Sequence, residues 1–217
     1  MKKPSVGLAL EGLPFIAFSV LTTLTLALLD WEFLALCALI LTFFVLNFFR
    51  DPERVVPDSP GVAVSPADGR VCKIERMIDP FSGEERLCVC VFMNVFNVHV
   101  NRAPVTGTIR RLLYHPGKFL NASLDKASTD NERNAVQIEG NDGSHWTVVQ
   151  IAGLVARRIV CWAEPGDDLA RGQRFGLIKF GSRLDLYLPQ GYEIQVRTGE
   201  KVLAGQSILA AKTETSQ

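Results

Sequence analysis

The segments "GDDLARGQRFG" (166–176) and "GEKVLAGQSIL" (199–209) decide how most of this chain is read. Each opens with Gly and an acid, sets an aliphatic residue two places later, and then reaches a Gly-Gln pair. Gly and acidic residues close turns, and alternating aliphatic residues suit a half-buried strand. The two copies therefore read as one turn-strand unit used twice, in the two halves of a pseudo-symmetric barrel-sandwich. Outward from them the pattern continues. "GRVCKI" (69–74), "LCVCVF" (87–92), "VHV" (98–100), "AVQI" (135–138) and "WTVVQI" (146–151) are short runs separated by Gly, Pro and Asp. That is the spacing of a mainly β domain made of small strands. Asn141-Asp142-Gly143 predicts a hairpin turn. The polar, unpatterned "NASLDKASTDNERN" (121–134) predicts a long loop of a kind that often carries function.

Residues 12–49 are of another character: almost wholly apolar, broken only by Asp30-Trp31-Glu32. The break leaves runs at 13–29 and 33–49, each close to the roughly 17-residue lower limit for a bilayer span. A charge at the bilayer centre costs about 2.5–3.5 kcal/mol, so Asp30 and Glu32 belong at an interface, where Trp31 also fits. A helical hairpin with its tip at 30–32 follows, either spanning the membrane or dipping into one leaflet. A signal peptide fits less well, because the stretch is too long and no small-residue cleavage site follows it. Lys2 and Lys3 precede the hairpin and Arg50 and Arg54 follow it; the positive-inside rule sets both ends, and so the β domain, on the cytoplasmic face of the cell membrane. The expected division is 1–50, membrane hairpin, and 51–217, cytosolic β domain.

Zero formal net charge and the lack of a Lys/Arg stripe argue against nucleic acid as a partner. The five cysteines include no CxxC pair. Cys88 and Cys90 point to one strand face and read as buried small residues, so no metal site is expected. A reduced compartment is the simplest setting.

Three motifs carry chemistry. In "SPADGRV" (65–71), Asp68-Gly69 is a turn dipeptide, and Asp68 is also a carboxylate able to orient a histidine. In "FMNVFNVHVNRAP" (92–104), the apolar phase flips near Phe96, which predicts a bulge, and His99 lies just beyond it as a half-exposed strand residue or as a base. His115 and His145 have poorer settings. In "LIKFGSRLDLYLP" (177–189), Gly181-Ser182 joins two strand-like runs. A tight turn is the plain reading. The other follows from chemistry: Asp68, His99 and Ser182 supply carboxylate, imidazole and hydroxyl, and the bare Gly181 exposes its carbonyl to attack by the next residue.

The apolar hairpin, "SPADG", "NVHVNR", "NER" and "FGSR", in this order and over essentially the whole chain, resemble the short bacterial type of phosphatidylserine decarboxylase. The resemblance implies a proenzyme that cuts itself between Gly181 and Ser182, giving subunits 1–181 and 182–217 that stay together as a heterodimer. It implies that Ser182 becomes a pyruvoyl cofactor, that His99 and Asp68 are catalytic, and that phosphatidylserine forms a Schiff base with the pyruvoyl group and leaves as phosphatidylethanolamine. Longer bacterial members have Leu-Gly-Ser-Thr at the cut and a second histidine where this chain has Phe96. Phe96, Arg102, Lys118 and Arg133 are the substrate-binding candidates, the three cations by charge and neighbourhood. The repeat alone also resembles the hairpins of biotinyl and lipoyl carrier domains, although Lys179 in "IKFGS" lacks the Asp-Lys-Ala setting of a carrier lysine. A membrane-anchored adaptor of that kind and a lipid-directed serine hydrolase are the alternatives.

Overall fold

The computed structural model describes residues 7–118, 130–153, 158–179 and 181–213. Most of the expected 121–134 loop lies outside the described residues, as do Lys2, Lys3 and Phe180. The chain divides into two compact units, Met1–Glu53 and Arg54–Gln217.

In the first unit a 3-10 turn (Leu10–Gly12) leads into α1 (Leu13–Leu28), and α2 (Glu32–Phe48) returns antiparallel. The chain reverses at residues 29–31, where Asp30 takes a left-handed φ of 59°, a conformation Asp tolerates better than most residues. The Thr23 and Thr42 hydroxyls meet between the helices at 3.0 Å. Phe15 stacks on Phe49 with ring centroids 5.5 Å apart. The remaining faces are apolar and exposed, Phe18, Leu28, Phe33 and Phe43 among them. Helices apolar on every side are built for surroundings other than water. Leu10–Leu28 is long and apolar enough to cross a membrane, and Glu32–Phe48 is shorter. The expected apolar helical hairpin is present.

The second unit is β. Its strands are β1 (Val62–Val64), β2 (Gly69–Ile78), β3 (Glu85–Met93), β4 (Val100–Arg102), β5 (Gly107–His115), β6 (Arg133–Gly140), β7 (His145–Ala152), β8 (Ile159–Cys161), β9 (Asp168–Leu169), β10 (Arg174–Ile178), β11 (Ser182–Tyr187), β12 (Tyr192–Ile194), β13 (Lys201–Val202) and β14 (Ile208–Lys212). They form one eight-stranded sheet, β13-β2-β3-β11-β7-β6-β5-β9, and two three-stranded sheets, β1-β14-β12 and β4-β10-β8. The large sheet curls into a half-barrel.

Pseudo-symmetry runs through the whole domain. Outward from the β11–β7 pair, β3 matches β6, β2 matches β5 and β13 matches β9, while β1-β14-β12 matches β4-β10-β8. Irregularities match as well. β2 slips register between Val71 and Lys73, and β5 slips at the corresponding Ile109 and Arg111. β14 skips Leu209 against β1, and β10 skips Phe175 against β4. The repeated segments close the two edges: β9 pairs with β5 and β13 with β2. One detail departs from the sequence match. Ala103 N–H donates to Gln173 and Ser65 N–H to Ser207, so an extra residue in the second loop makes Ser207, not Gln206, the counterpart of Gln173.

The period-2 alternation of a strand sorts β11 between two cores. Leu184, Leu186 and, beyond the strand, Leu188 join the main core with Val89, Val91, Ile138, Trp146 and Val148. Tyr187 joins Cys88, Cys90, Val149 and Ile151 on the opposite face. Each fully buried leucine contributes roughly 1.5–3 kcal/mol, which anchors the strand that begins at Ser182.

Candidate active site

Gly181-Ser182 is not a hairpin turn. β10 belongs to a small sheet and β11 to the centre of the large one, so the pair is where the chain passes between sheets. Gly181 takes φ 67°, which favours glycine. Ser182 then starts β11 level with Met93 of β3 and Ala152 of β7. It is fully buried, and its hydroxyl rests on the Met93 thioether at 3.9 Å.

His99 also differs from the half-exposed residue expected: it is wholly buried, just ahead of β4. The phase flip near Phe96 is a turn rather than a bulge. Asn94 N–H donates to Asn97 Oδ1 at 2.9 Å and Phe96 N–H to Asn94 Oδ1 at 2.9 Å, and the chain leaves the large sheet for a small one. The His99 carbonyl accepts Ile178 N–H at 3.3 Å. Its ring is held at both nitrogens. Nε2 accepts the Gly181 N–H at 3.3 Å, and Nδ1 lies 2.9 Å from the Asn97 carbonyl. A carbonyl can only accept and an amide N–H can only donate, so these partners assign a neutral ring protonated on Nδ1. The Nε2 lone pair therefore faces the residue before Ser182. That arrangement suits a base acting at the Gly181-Ser182 junction.

Asp68 is anchored elsewhere. Its Oδ2 pairs with Arg54 at 2.7 Å and its Oδ1 accepts Ala204 N–H at 2.8 Å. The place expected for its carboxylate, on His99 Nδ1, is taken by the Asn97 carbonyl. Its counterpart in the other half is Thr106, whose Oγ1 accepts Arg171 N–H at 3.1 Å. Both side chains tie a repeat loop to the sheet, and the charge and its Arg54 partner belong to Asp68 alone.

The family model for phosphatidylserine decarboxylase matches residues 41–210. A protein of Oleidesulfovibrio alaskensis described as a phosphatidylserine decarboxylase proenzyme is 58% identical over 214 residues, 99% of this chain and 98% of its own. A protein of Nitratidesulfovibrio vulgaris with the same description is 59% identical over 213 residues, 98% of each chain. Another, of Cupriavidus pinatubonensis, is 52% identical over 215 residues, 99% of each. The chain belongs to the phosphatidylserine decarboxylase family.

The other residues expected to serve this decarboxylase fall in different settings. Arg102 is buried, donates to the Gly172 carbonyl at 2.9 Å, and packs where a Cβ on Gly205 would meet its Cδ at 3.0 Å. It lies between the two matched repeat glycines, a structural place that its charge alone did not reveal. Phe96 is exposed in its turn. Lys118 is exposed, 3.8 Å from Asp130. Arg133 opens β6, level with Ile151, the residue before the Ala152 that pairs with Ser182.

Behind the large sheet, Arg183 makes a bidentate pair with Asp185, at 2.7 and 2.8 Å. The Cys88 and Cys90 sulfurs lie 4.0 Å apart beside them. Burial pushes the Cys88 thiol up and the Cys72 thiol up to about 11. These are unreactive packing thiols, and all five cysteines are free.

The matched strands also define a second Gly-Ser pair. Gly143-Ser144, ahead of β7, corresponds to Gly181-Ser182, and Gly143 has a similar φ of 76°. The counterpart of His99 is Gly61, whose carbonyl accepts Lys212 N–H at 2.8 Å as His99 accepts Ile178. The counterpart of Met93 is Gly140, which donates to the Ser144 carbonyl at 2.8 Å. With imidazole and thioether both reduced to glycine, the place is hollow. A cavity of about 720 Å³ is lined there by Gly61, Gly140, Ser144, Trp146, Tyr192 and Lys212.

Proposed function

We propose that this decarboxylase cuts itself between Gly181 and Ser182, converts Ser182 into a pyruvoyl group, and uses it to turn phosphatidylserine into phosphatidylethanolamine. The observation that supports this most is the neutral imidazole of His99 on the Gly181 amide. Ser182 is a weak nucleophile until its proton is taken. The Gly181 N–H releases the Nε2 lone pair, the Ser182 hydroxyl turns from Met93 to it, and His99 then serves as the base. The oxygen attacks the Gly181 carbonyl, the Ser182 nitrogen leaves with a proton, and an ester replaces the peptide. Loss of the Ser182 α-proton then expels Gly181 as a carboxylate. The dehydroalanine left at residue 182 tautomerises and takes up water, releasing ammonia.

Ser182 suits this product, because after the cut it remains the buried first residue of β11 with its strand neighbours unchanged. The pyruvoyl group supplies a ketone that condenses with the substrate amine and accepts the electrons released as carbon dioxide leaves. In this scheme the Asn97 carbonyl keeps the Nδ1 proton in place, His99 moves protons at the junction, and Asp68 secures the 204 loop. Lys118 and Arg133 are the cations proposed to meet the lipid phosphate, while Arg102 holds the repeat loops. The apolar helices hold the enzyme at the cytoplasmic face of the membrane, where its substrate lies. Residues 1–181 and 182–217 stay paired as a heterodimer through β11, β13 and β14.

Intact mass of the purified protein tests the reading. Wild type gives two polypeptides, the smaller starting at residue 182 with a pyruvoyl end, and Ser182→Ala gives one. A single uncut chain that still decarboxylates phosphatidylserine overturns it.

A further inference from the structure

Beneath His99 runs a line of three buried amides. Asn134 Nδ2–H donates to Gln150 Oε1 at 2.9 Å, Gln150 Nε2–H to Asn101 Oδ1 at 2.8 Å, and Asn101 Nδ2–H to the His99 carbonyl at 3.3 Å. Asn101 and Gln150 are wholly buried and Asn134 nearly so. Gly176 leaves them space, since a Cβ there would stand 2.8 Å from Gln150 Nε2 and 2.5 Å from the Val160 carbonyl.

The other half of the domain packs the same positions without amides. Asn134 and Gln150 face each other across β6 and β7; their counterparts are Leu87 and Leu188, joined by Leu188 N–H to the Leu87 carbonyl at 2.9 Å. Asn101 lies opposite Gly176, and its counterpart Ala63 lies opposite Ala210. The scaffold is therefore stable with two leucines and an alanine. Three buried amides gain little over them, because each net hydrogen bond contributes only about 1 kcal/mol, and a lost partner costs about 1–3 kcal/mol. Stability does not account for the relay.

We propose that Asn134, Gln150 and Asn101 are positioning residues for His99. The His99 carbonyl is gripped twice. Ile178 N–H ties it to the strand that leads into Gly181, and Asn101 ties it, through Gln150, to β7, the strand beside Ser182. The imidazole is thus referenced to both sides of the bond to be cut. Gly61 has the first tie through Lys212, while Ala63 carries no amide to make the second.

The inference rests on the proposed processing, and one set of variants separates the two. Asn101→Ala, Asn134→Leu and Gln150→Leu together transplant the packing of the other half. Cutting is followed by intact mass, stability by melting temperature, and the His99 tautomer by ¹⁵N imidazole shifts in uncut Ser182→Ala protein, where three histidines simplify assignment. The expected result is a melting temperature kept or raised, cutting slowed by about 10- to 100-fold, and His99 signals moved from one tautomer toward an average of two. Gln150→Leu alone should slow cutting as much as the triple change, because a relay broken in its middle is already lost, and it carries the test if the triple variant does not fold. Folded variants that cut at the wild-type rate overturn the proposal, as do slowed variants whose His99 signals are unmoved. If wild type is uncut, or Ser182→Ala is still cut, the processing reading itself falls.

Discussion

Gly181-Ser182 and Gly143-Ser144 occupy matched places, each a left-handed glycine before a serine at the head of a central strand, Ser182 as its first residue and Ser144 just ahead of it, yet they have different surroundings. Around Ser182 lie an imidazole and a thioether in a closed interior. Around Ser144 lie two glycines and an open cavity, and its hydroxyl is tied to Asp142 while accepting from Trp146 Nε1 at 2.9 Å. A left-handed glycine and a serine are common to both places; what differs is the imidazole, the thioether and the packing around them, and the proposed processing assigns reactivity only to the first.

Substitutions that erase the difference test that lesson. The largest effect belongs to Ser182→Ala, which should abolish both cutting and decarboxylation, read by intact mass and carbon dioxide release. His99→Gly, which installs the residue of the other half, should slow cutting by about 10³-fold or more, since in the proposed processing His99 takes the serine proton. Its circular dichroism should stay that of a folded β protein. Cutting at the wild-type rate would make His99 a packing residue.

Asp68→Thr is gentler. It keeps an acceptor for the Ala204 amide, as Thr106 does for Arg171, but takes the carboxylate from partly buried Arg54 and leaves it the Gln206 amide oxygen at 3.1 Å. Losing the charged partner of a partly buried group costs about 1–3 kcal/mol, so melting temperature should fall, with cutting slowed less than in His99→Gly. If Asp68→Thr cuts as slowly as His99→Gly while melting normally, Asp68 acts directly on the imidazole.

The smallest effect is expected at the silent pair. Ser144→Ala should leave cutting at residue 182 unchanged and lower stability by about 1 kcal/mol for its lost hydrogen bonds. The Ser144 hydroxyl and amide, with Lys212 and Tyr192, hold the Asp142 carboxyl well below its ordinary range. A carboxyl depressed in the folded state adds stability above its unfolded pKa of about 3.9, and that stability is lost as pH falls toward the folded value. Thermal melts below about pH 4 should therefore show a smaller acid-induced loss in Ser144→Ala than in wild type.

Sequence patterning carried the β class, the helical hairpin and the repeat at 166 and 199, because alternation, apolar length and Gly-acid turns are local signals. The wider duplication was hidden. "SPADG" (65–69) and "APVTG" (103–107) share only their proline and glycine, and those are the positions the turn demands. His99 and Ser182 stood out by their motifs, while the partner of Nδ1 is a backbone carbonyl with no side chain to announce it. Asp68 was legible as a turn residue and as a carboxylate, and its tie to Arg54 depends on how residues 54 and 68 come together in space. Asn101, Gln150 and Asn134 were passed over. Their one signal is an amide at strand positions that the other half fills with Ala63, Leu188 and Leu87.

The place of β11 has a consequence for the making of the protein. It is hydrogen-bonded to β3 on one side and β7 on the other, and both of those strands precede it in the chain. Until β11 docks the large sheet lacks its middle strand, and contacts so distant in sequence are slow to form. His99 can meet Gly181 only when that strand has docked. In the proposed processing, a chain that stops before residue 182 has no bond to cut, and a misfolded one cannot align it. In that scheme the cut records, in the covalent structure, that β11 has docked between β3 and β7.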